Sequence, residues 1–509
     1  MHLRNMDWLA GPPKAQENSM NVPQDGCRLR KAALAGIMVL LPGMAEHEAQ
    51  TGPDTAAITR FVESQMRLSR IPGLALSIVR GDRVLYAAGF SNDSAPITAD
   101  SPFLLGSVSK TFTALAVAQL ADEGKLQFND WVHQHLPGFI LKDSEGGRTI
   151  KLRHLLTHTS GLSQWSGHDR RAHSQGHFDH IALARPPGVK FEYSSLNYII
   201  LGKVVEAVAG MPYGVYIQQR VFEPLEMTKS FVDLESSRRH GLVQGHWYLF
   251  GLEIPRQETQ QPHPLVPAGF LISSARDLGN YLSMLLSQGR FKSRQVVSPK
   301  VLRQMLTPWD DGTKGAGMAW GIGSTRVGHA GNTATFSARL AMLPMEGYGI
   351  ALLANVNSGP FFPGTATVMD GLTRILDGKP VETVRPDEIL FKLAVLVLVI
   401  AGLVRMILTC RRWSHRGFPH RLKGSQLVAM PLIMEATAAA FVLLALPRWI
   451  GVPLRSILEY FPDLGIAIIA GVVTGAPAAL LRAFILAGTR AEVTATQQRS
   501  PANTDPCDG

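Results

Sequence analysis

Residues 103–122 read FLLGSVSKTFTALAVAQLAD. Phe112, Leu115, Ala116, Leu120 and Ala121 recur at the spacing of one helical face, and Gly124 stands where a left-handed residue closes a helix. The helix therefore opens near Ser107, with Lys110 one turn along it. Residues three apart share a helix face, so the lysine can reach the serine hydroxyl. The helix N-terminus also favours negative charge at that point. A serine hydroxyl is a weak nucleophile until a base takes its proton. Setting a lysine among Phe103, Leu104, Leu105 and Phe112 disfavours its ammonium form and makes it a candidate base. By themselves these four positions, S-x-x-K, equally describe an N-cap serine beside a surface lysine, so the rest of the chain has to decide.

Upstream, an apolar run at 74–79 is followed by Arg80, Gly81 and Asp82 and a second run at 83–87, the pattern of a β-hairpin. A matching pair lies near residue 350: 338–343, a turn at Glu346 and Gly347, then 349–354. Strands at both ends with helical material between them predict one antiparallel sheet built from both termini, an α+β arrangement.

The chain has 509 residues, more than the roughly 250–300 at which one core stops growing. The sequence predicts four regions: 1–49 with a secretory signal, a catalytic domain at 54–386, a membrane domain at 387–488 and a disordered tail at 489–509. Arg28, Arg30 and Lys31 precede a short apolar run at 32–41 and small residues beyond it, which describes a signal with cleavage after Ala45 or Ala49 and a start at Met20. Three longer apolar runs, 389–408, 427–446 and 464–486, are each long enough to cross a bilayer. Arg411, Arg412, Arg416, Arg421 and Lys423 sit between the first two and place that loop in the cytoplasm. The catalytic domain is then expected outside a bacterial cytoplasmic membrane, the side a signal peptide also implies. Glu435, within the second run, is read as a packing residue of the bundle.

The net charge of +10 could suggest nucleic acid, but its densest block lies between apolar runs, which points to the bilayer as the partner instead. Cys27, Cys410 and Cys507 all lie outside 54–386, leaving that domain no disulfide framework and no Cys/His zinc pattern. The histidines at 168, 173, 177 and 180 and the pair His154 and His158 lack metal-site logic, so no metal is expected. No G-x-S-x-G elbow is present, which argues against an α/β-hydrolase.

Over about residues 54–375 the chain resembles the serine β-lactamase and penicillin-binding superfamily, specifically its class C β-lactamase-like branch. The segments that carry the likeness are IPGLALSIV (71–79), FLLGSVSKTFT (103–113), LLTHTSGL (155–162), FEYSSLNY (191–198), PAGFLISSARDL (267–278) and HAG (329–331). The resemblance implies a β-lactamase/transpeptidase-like fold, with an all-helical subdomain inserted between about residues 120 and 260 and the site at the junction. It implies Ser107 as acylated nucleophile, Lys110 as its base, and Tyr193 as general base or proton relay with Lys110 as its neighbouring cation. It places His329 and Gly331 where other members carry Lys-Thr-Gly, and assigns the amides of Ser107 and Asn332 to an oxyanion hole. No cofactor is implied. Where the family's Tyr-x-Asn has its asparagine this chain has Ser195, with Asn197 two residues on. A serine lacks the amide's two-pronged reach, which counts against efficient β-lactam turnover. The expected activity is hydrolysis of an ester or amide, including a cell-wall-derived peptide. The alternative is a penicillin-binding or sensing membrane protein with little turnover.

Overall fold

The computed structural model describes residues 52–381 apart from 93–94, 170–176, 250–251, 259–262, 310–315 and 358–363, together with 383 and scattered residues between 397 and 469. Six strands form one antiparallel sheet: β1 (Gly73–Arg80), β2 (Arg83–Ser91), β3 (Gly321–Ile322), β4 (Val327–Asn332), β5 (Ser337–Leu343) and β6 (Tyr348–Ala354). Their order is β2-β1-β6-β5-β4-β3, so the two hairpins read from the sequence meet edge to edge. The join is β1 on β6, with Leu74 opposite Ala354 and Val79 opposite Gly349.

Alternation along β1 divides its side chains between two cores. Leu74, Leu76 and Ile78 point to helices α1 (Thr55–Ser69) and α5 (Gly364–Leu376), packing with Ile58, Val62, Val368 and Leu372. Asp54 starts α1 by accepting from the Ala57 amide at 2.8 Å. Ala75 and Val79 face the larger core on the other side, with Leu278 and Leu282 of α4 (Ala275–Leu286). Gly279 lets α4 settle onto the sheet: a Cβ there would stand 2.5 Å from Ser77 Oγ.

Helix α2 (Ser109–Asp122) runs through that core, and residues 109–120 are buried all round. A helix apolar on every side belongs inside a protein, and its neighbours confirm it. Phe112 stacks on Tyr281 with ring centroids 4.3 Å apart. Thr113 Oγ1 lies 2.7 Å from both Tyr213 Oη and the Pro267 carbonyl. Helix α3 (Leu196–Ala209) packs beside it and ends at Gly210, left-handed at φ 68°.

The inserted region differs from expectation. It is helical as far as residue 239, but Gly245–Leu249 and Leu252–Arg256 form a hairpin that pairs in parallel with Val356–Asn357. Tyr248 ties it down by donating to the Arg70 carbonyl at 2.5 Å. The partner strand comes from a distant part of the chain, so no local pattern discloses it.

The apolar runs at 389–408, 427–446 and 464–486, Glu435 and the signal region fall largely or wholly outside the described residues. Among the described residues no single helix is long and apolar enough to cross a membrane.

Candidate active site

Ser107 sits in a single 3-10 turn, Gly106–Val108, that feeds α2. Gly106 takes φ +51°, a left-handed conformation suited to glycine. Lys110, one turn on, is fully buried. Its Nζ donates to Ser107 Oγ at 3.1 Å and to the Ala268 carbonyl. Taking an ammonium out of water costs several kcal/mol, and these two hydrogen bonds act against that cost. Such burial of a titratable group beside a hydroxyl is characteristic of sites that use it.

Tyr193 arrives from the other wall, in the loop before α3, and its Oη donates to Ser107 Oγ at 2.7 Å. The Lys110 Nζ lies 5.0 Å from the centre of the Tyr193 ring. One hydroxyl oxygen is thus contacted by two groups able to exchange a proton with it, the arrangement nucleophilic catalysis requires.

Strand β4 closes the third side. A Cβ on Gly331 would stand 2.0 Å from the Leu105 carbonyl oxygen and 2.8 Å from the Ser107 amide nitrogen; one on Gly106 would stand 2.5 Å from the Asn332 amide nitrogen. The strand and the nucleophile turn therefore touch backbone to backbone, and the amides of Ser107 and Asn332 border the same gap. Among the described residues β3 pairs with β4 only at Val327 and Gly328. The outer edge from His329 to Asn332 therefore has no strand partner there.

Of the sequence-predicted residues, the structure brings Ser107, Lys110, Tyr193, Gly331 and Asn332 together. Asn332 Oδ1 accepts from Ser337 Oγ at 2.9 Å, holding the hairpin end. Ser195 is the N-cap of α3, partly buried beside Gly167. Asn197 does not take its place. Its amide nitrogen donates to His158 Nδ1 at 3.0 Å and its oxygen accepts from Ser160 Oγ at 2.6 Å, so it braces the loops behind the site.

His158, noted in the sequence only as one of a histidine pair without metal-site logic, has a different place. It lies beyond the short helix Leu152–Leu156, in the left-handed region at φ 57°. Its Nδ1 accepts from the Ser194 amide at 3.2 Å as well as from Asn197. Its ring lies 4.4 Å from that of Tyr193. Burial, then the charge of Lys110, holds the imidazole well below its ordinary pKa. A neutral ring accepting at Nδ1 carries its proton on Nε2, and this ring is the backing plate of Tyr193. Only the neighbouring Thr-Ser-Gly, which invites a tight turn, hinted that the chain leaves the helix there.

His329 is also buried and neutral: burial first, then Lys110, bring it down to about 3. A neutral imidazole offers a substrate carboxylate no charge, unlike a lysine at that position. Its pKa is depressed below the unfolded value, so the folded state binds fewer protons between pH 3 and 6.5, and stability is lost as pH falls through that window. His329→Gln should reduce the slope of unfolding free energy with pH there by up to about 1.4 kcal/mol per pH unit. Urea melts of both proteins at pH 7.5, 6 and 5 check this. Asp277, pushed up to about 6 by burial, acts in the opposite sense in both proteins and cancels in the comparison.

Of the histidines singled out in the sequence, His180 Nε2 pairs with Asp169 at 2.8 Å, and His154 Nδ1 accepts from the Lys151 amide at 3.2 Å. Among the described residues no group of three or more His, Cys, Asp or Glu is placed to hold a metal ion.

An antiparallel sheet with helices on both faces, and a serine, lysine and tyrosine meeting between the sheet edge and the helical region, define the class of serine acyl-transfer proteins with a β-lactamase/transpeptidase-like fold. The Beta-lactamase family model matches residues 58–372, and the chain belongs to that family, whose members are in general serine hydrolases. It is similar to Protein flp of Staphylococcus aureus strain N315, 26% identical over 424 residues that cover 78% of this chain and 83% of that one. It is also similar to Penicillin-binding protein 4 of Amycolatopsis lactamdurans, 30% identical over 308 residues, or 56% of this chain and 81% of the other. Among solved structures, the octameric penicillin-binding protein homologue from Pyrococcus abyssi superposes with a TM-score of 0.53 at 26% identity, over 64% of this chain and 78% of its own.

Proposed function

We propose that this protein is a membrane-anchored serine hydrolase that cleaves an ester or amide bond, including that of a peptide, through an acyl-enzyme on Ser107. The observation that carries the proposal is the double contact on Ser107 Oγ, 3.1 Å from Lys110 Nζ and 2.7 Å from Tyr193 Oη. In this reading one of the two takes the serine proton as Oγ attacks the carbonyl carbon. The amides of Ser107 and Asn332 stabilise the oxyanion, and the proton passes to the leaving alcohol or amine. Water then attacks the ester on Ser107 by the reverse route. The three apolar runs support anchoring, and the basic loop at 411–425 supports placing the catalytic domain outside the cytoplasmic membrane.

The substrate ranking follows from two features. Ser195 lacks an amide's reach and Asn197 is committed to His158 and Ser160, while His329 is neutral. Esters and peptides therefore rank above β-lactams. The same two features favour a second reading, a penicillin-binding or sensing protein that acylates with little turnover.

Full-length protein in detergent is to be offered a chromogenic ester, a D-alanyl-D-alanine peptide and a fluorescent penicillin. Turnover of the ester or peptide is the expected result. Stable penicillin labelling without turnover of anything would support the second reading. Failure of all three to react with folded protein would remove the hydrolase assignment. Protease added to spheroplasts should digest the catalytic domain and spare the 411–425 loop; the converse would overturn the topology.

A further inference from the structure

Tyr193 holds its phenol 2.7 Å from Ser107 Oγ, yet it sits in a stretch, residues 191–194, that is neither helix nor strand. No ladder or helical turn fixes its backbone there, and the residue is only half-buried. Where this stretch sends its amides, and what its tyrosine packs on, therefore decides where the phenol stands.

One residue meets the stretch three times. The amides on either side of Tyr193 both donate to His158: Glu192 N–H to its carbonyl at 2.8 Å, and Ser194 N–H to its Nδ1 at 3.2 Å. In addition the imidazole lies against the Tyr193 ring, with 4.4 Å between centres and 32° between planes.

The imidazole is itself held from other directions. Asn197 donates to the same Nδ1 at 3.0 Å, its oxygen takes the Ser160 hydroxyl at 2.6 Å, and that hydroxyl oxygen accepts from the Leu162 amide at 3.2 Å. The ring also packs on Tyr198, centres 5.3 Å apart, whose phenol is tied to the Leu156 carbonyl at 2.7 Å. His158 is 5% exposed, and Tyr198 is fully buried. The imidazole is thus a fixed plate shared by a tyrosine that is tied down and the one that contacts Ser107.

We propose that His158 is a positioning residue for acyl transfer: the face of its ring holds the Tyr193 phenol within hydrogen-bond reach of Ser107, while its carbonyl and Nδ1 fix the backbone that carries the tyrosine. Being buried, it does so without touching substrate. This deepens the serine hydrolase reading and rests on it for its chemistry; the packing of the two rings does not depend on that reading. Misplacing a reacting group by about 1 Å can cost on the order of 10² in rate, so a side chain that only supports the base can carry an effect of that size.

The test is His158→Asn. Asparagine places Oδ1 where histidine has Nδ1, so the Ser194 and Asn197 donors keep an acceptor, and it tolerates the left-handed backbone at φ 57°. What it removes is the ring. Full-length protein in detergent, given nitrophenyl acetate, should show kcat lowered by a factor on the order of 10², with KM little changed. The rate at which a fluorophosphonate modifies Ser107 should fall alongside it. In a Tyr193→Phe background, where no phenol is left to aim, the same substitution should change neither rate. Wild-type kcat in His158→Asn overturns the proposal, and so does an equal fall in both backgrounds, which marks general damage. Asn197→Ala releases one hold on the ring and is the second variant should His158→Asn fail to fold. Its loss of rate must also vanish in Tyr193→Phe, and an equal loss in both backgrounds overturns the proposal. A readout without catalysis places fluorotyrosine at position 193. It should give one sharp fluorine resonance with His158 present and a broadened or doubled one in His158→Asn; an unchanged resonance overturns the positioning role. If no ester reacts but the resonance changes, the hydrolase reading has failed and the positioning of Tyr193 stands.

Discussion

Ser107→Ala is expected to lower kcat/KM for ester or peptide hydrolysis by a factor on the order of 10⁴ or more, and to abolish labelling by serine-directed reagents. The size of the effect follows from what the oxygen does. It is the point on which Lys110 and Tyr193 converge, and without it neither has an atom to activate. The fold should tolerate the change. Lys110 keeps its bond to the Ala268 carbonyl, and the core around α2 is built from other residues. A thermal melt within a few degrees of wild type, together with lost turnover, is the expected pair of results. Residual hydrolysis near the wild-type rate in a folded Ser107→Ala protein would place the nucleophile elsewhere.

Gly331→Ala is expected to be nearly as damaging for a different reason. The new methyl would lie 2.0 Å from the Leu105 carbonyl and 2.7 Å from the Val108 amide nitrogen. Both are backbone atoms, which cannot rotate aside as a side chain can. Strand β4 must draw away from the Ser107 turn, taking the Asn332 amide with it. Losing one oxyanion donor costs on the order of 10²–10³ in kcat. The expected signature is therefore a fall in kcat larger than any rise in KM, with slower acylation of Ser107 by a small reagent. Ala330→Gly, its neighbour on β4, is the control for strand loosening alone. If Gly331→Ala keeps wild-type kcat, the close approach of β4 to the nucleophile turn is not part of the catalytic arrangement.

Much of this was legible because it is local. The turn at Gly81 and Asp82 joins β1 to β2, and the turn at Glu346 and Gly347 joins β5 to β6, as alternation and turn chemistry require. The pairing of Ser107 with Lys110 needs only the i, i+3 geometry of a helix start. The family segments also sit where the likeness led one to expect them, with Tyr193 brought to Ser107 across 86 residues of chain.

What was not legible depends on partners distant in sequence. The inserted region reads as helical because nothing near 245–256 reveals that Val356–Asn357 will pair with it. Asn197 lies two residues past the position of the family's asparagine, and only the structure shows that, in the first turn of α3, it is bonded to His158 and Ser160. His158 carries no signal in the sequence beyond a missing metal pattern, but its left-handed backbone turns it under Tyr193.

By itself, then, the sequence determined the strands at both ends of the catalytic region, the helix that opens behind the nucleophile and the pairing of Ser107 with Lys110, while the family resemblance pointed to Tyr193. Periodicity, turn residues and helix geometry act over a few residues and need no partner. Only the tertiary structure decided that His158 backs Tyr193 and that His329 is neutral. Burial and contact belong to surfaces assembled from remote segments, and the desolvation that sets a histidine's charge exists only once those segments have closed around it.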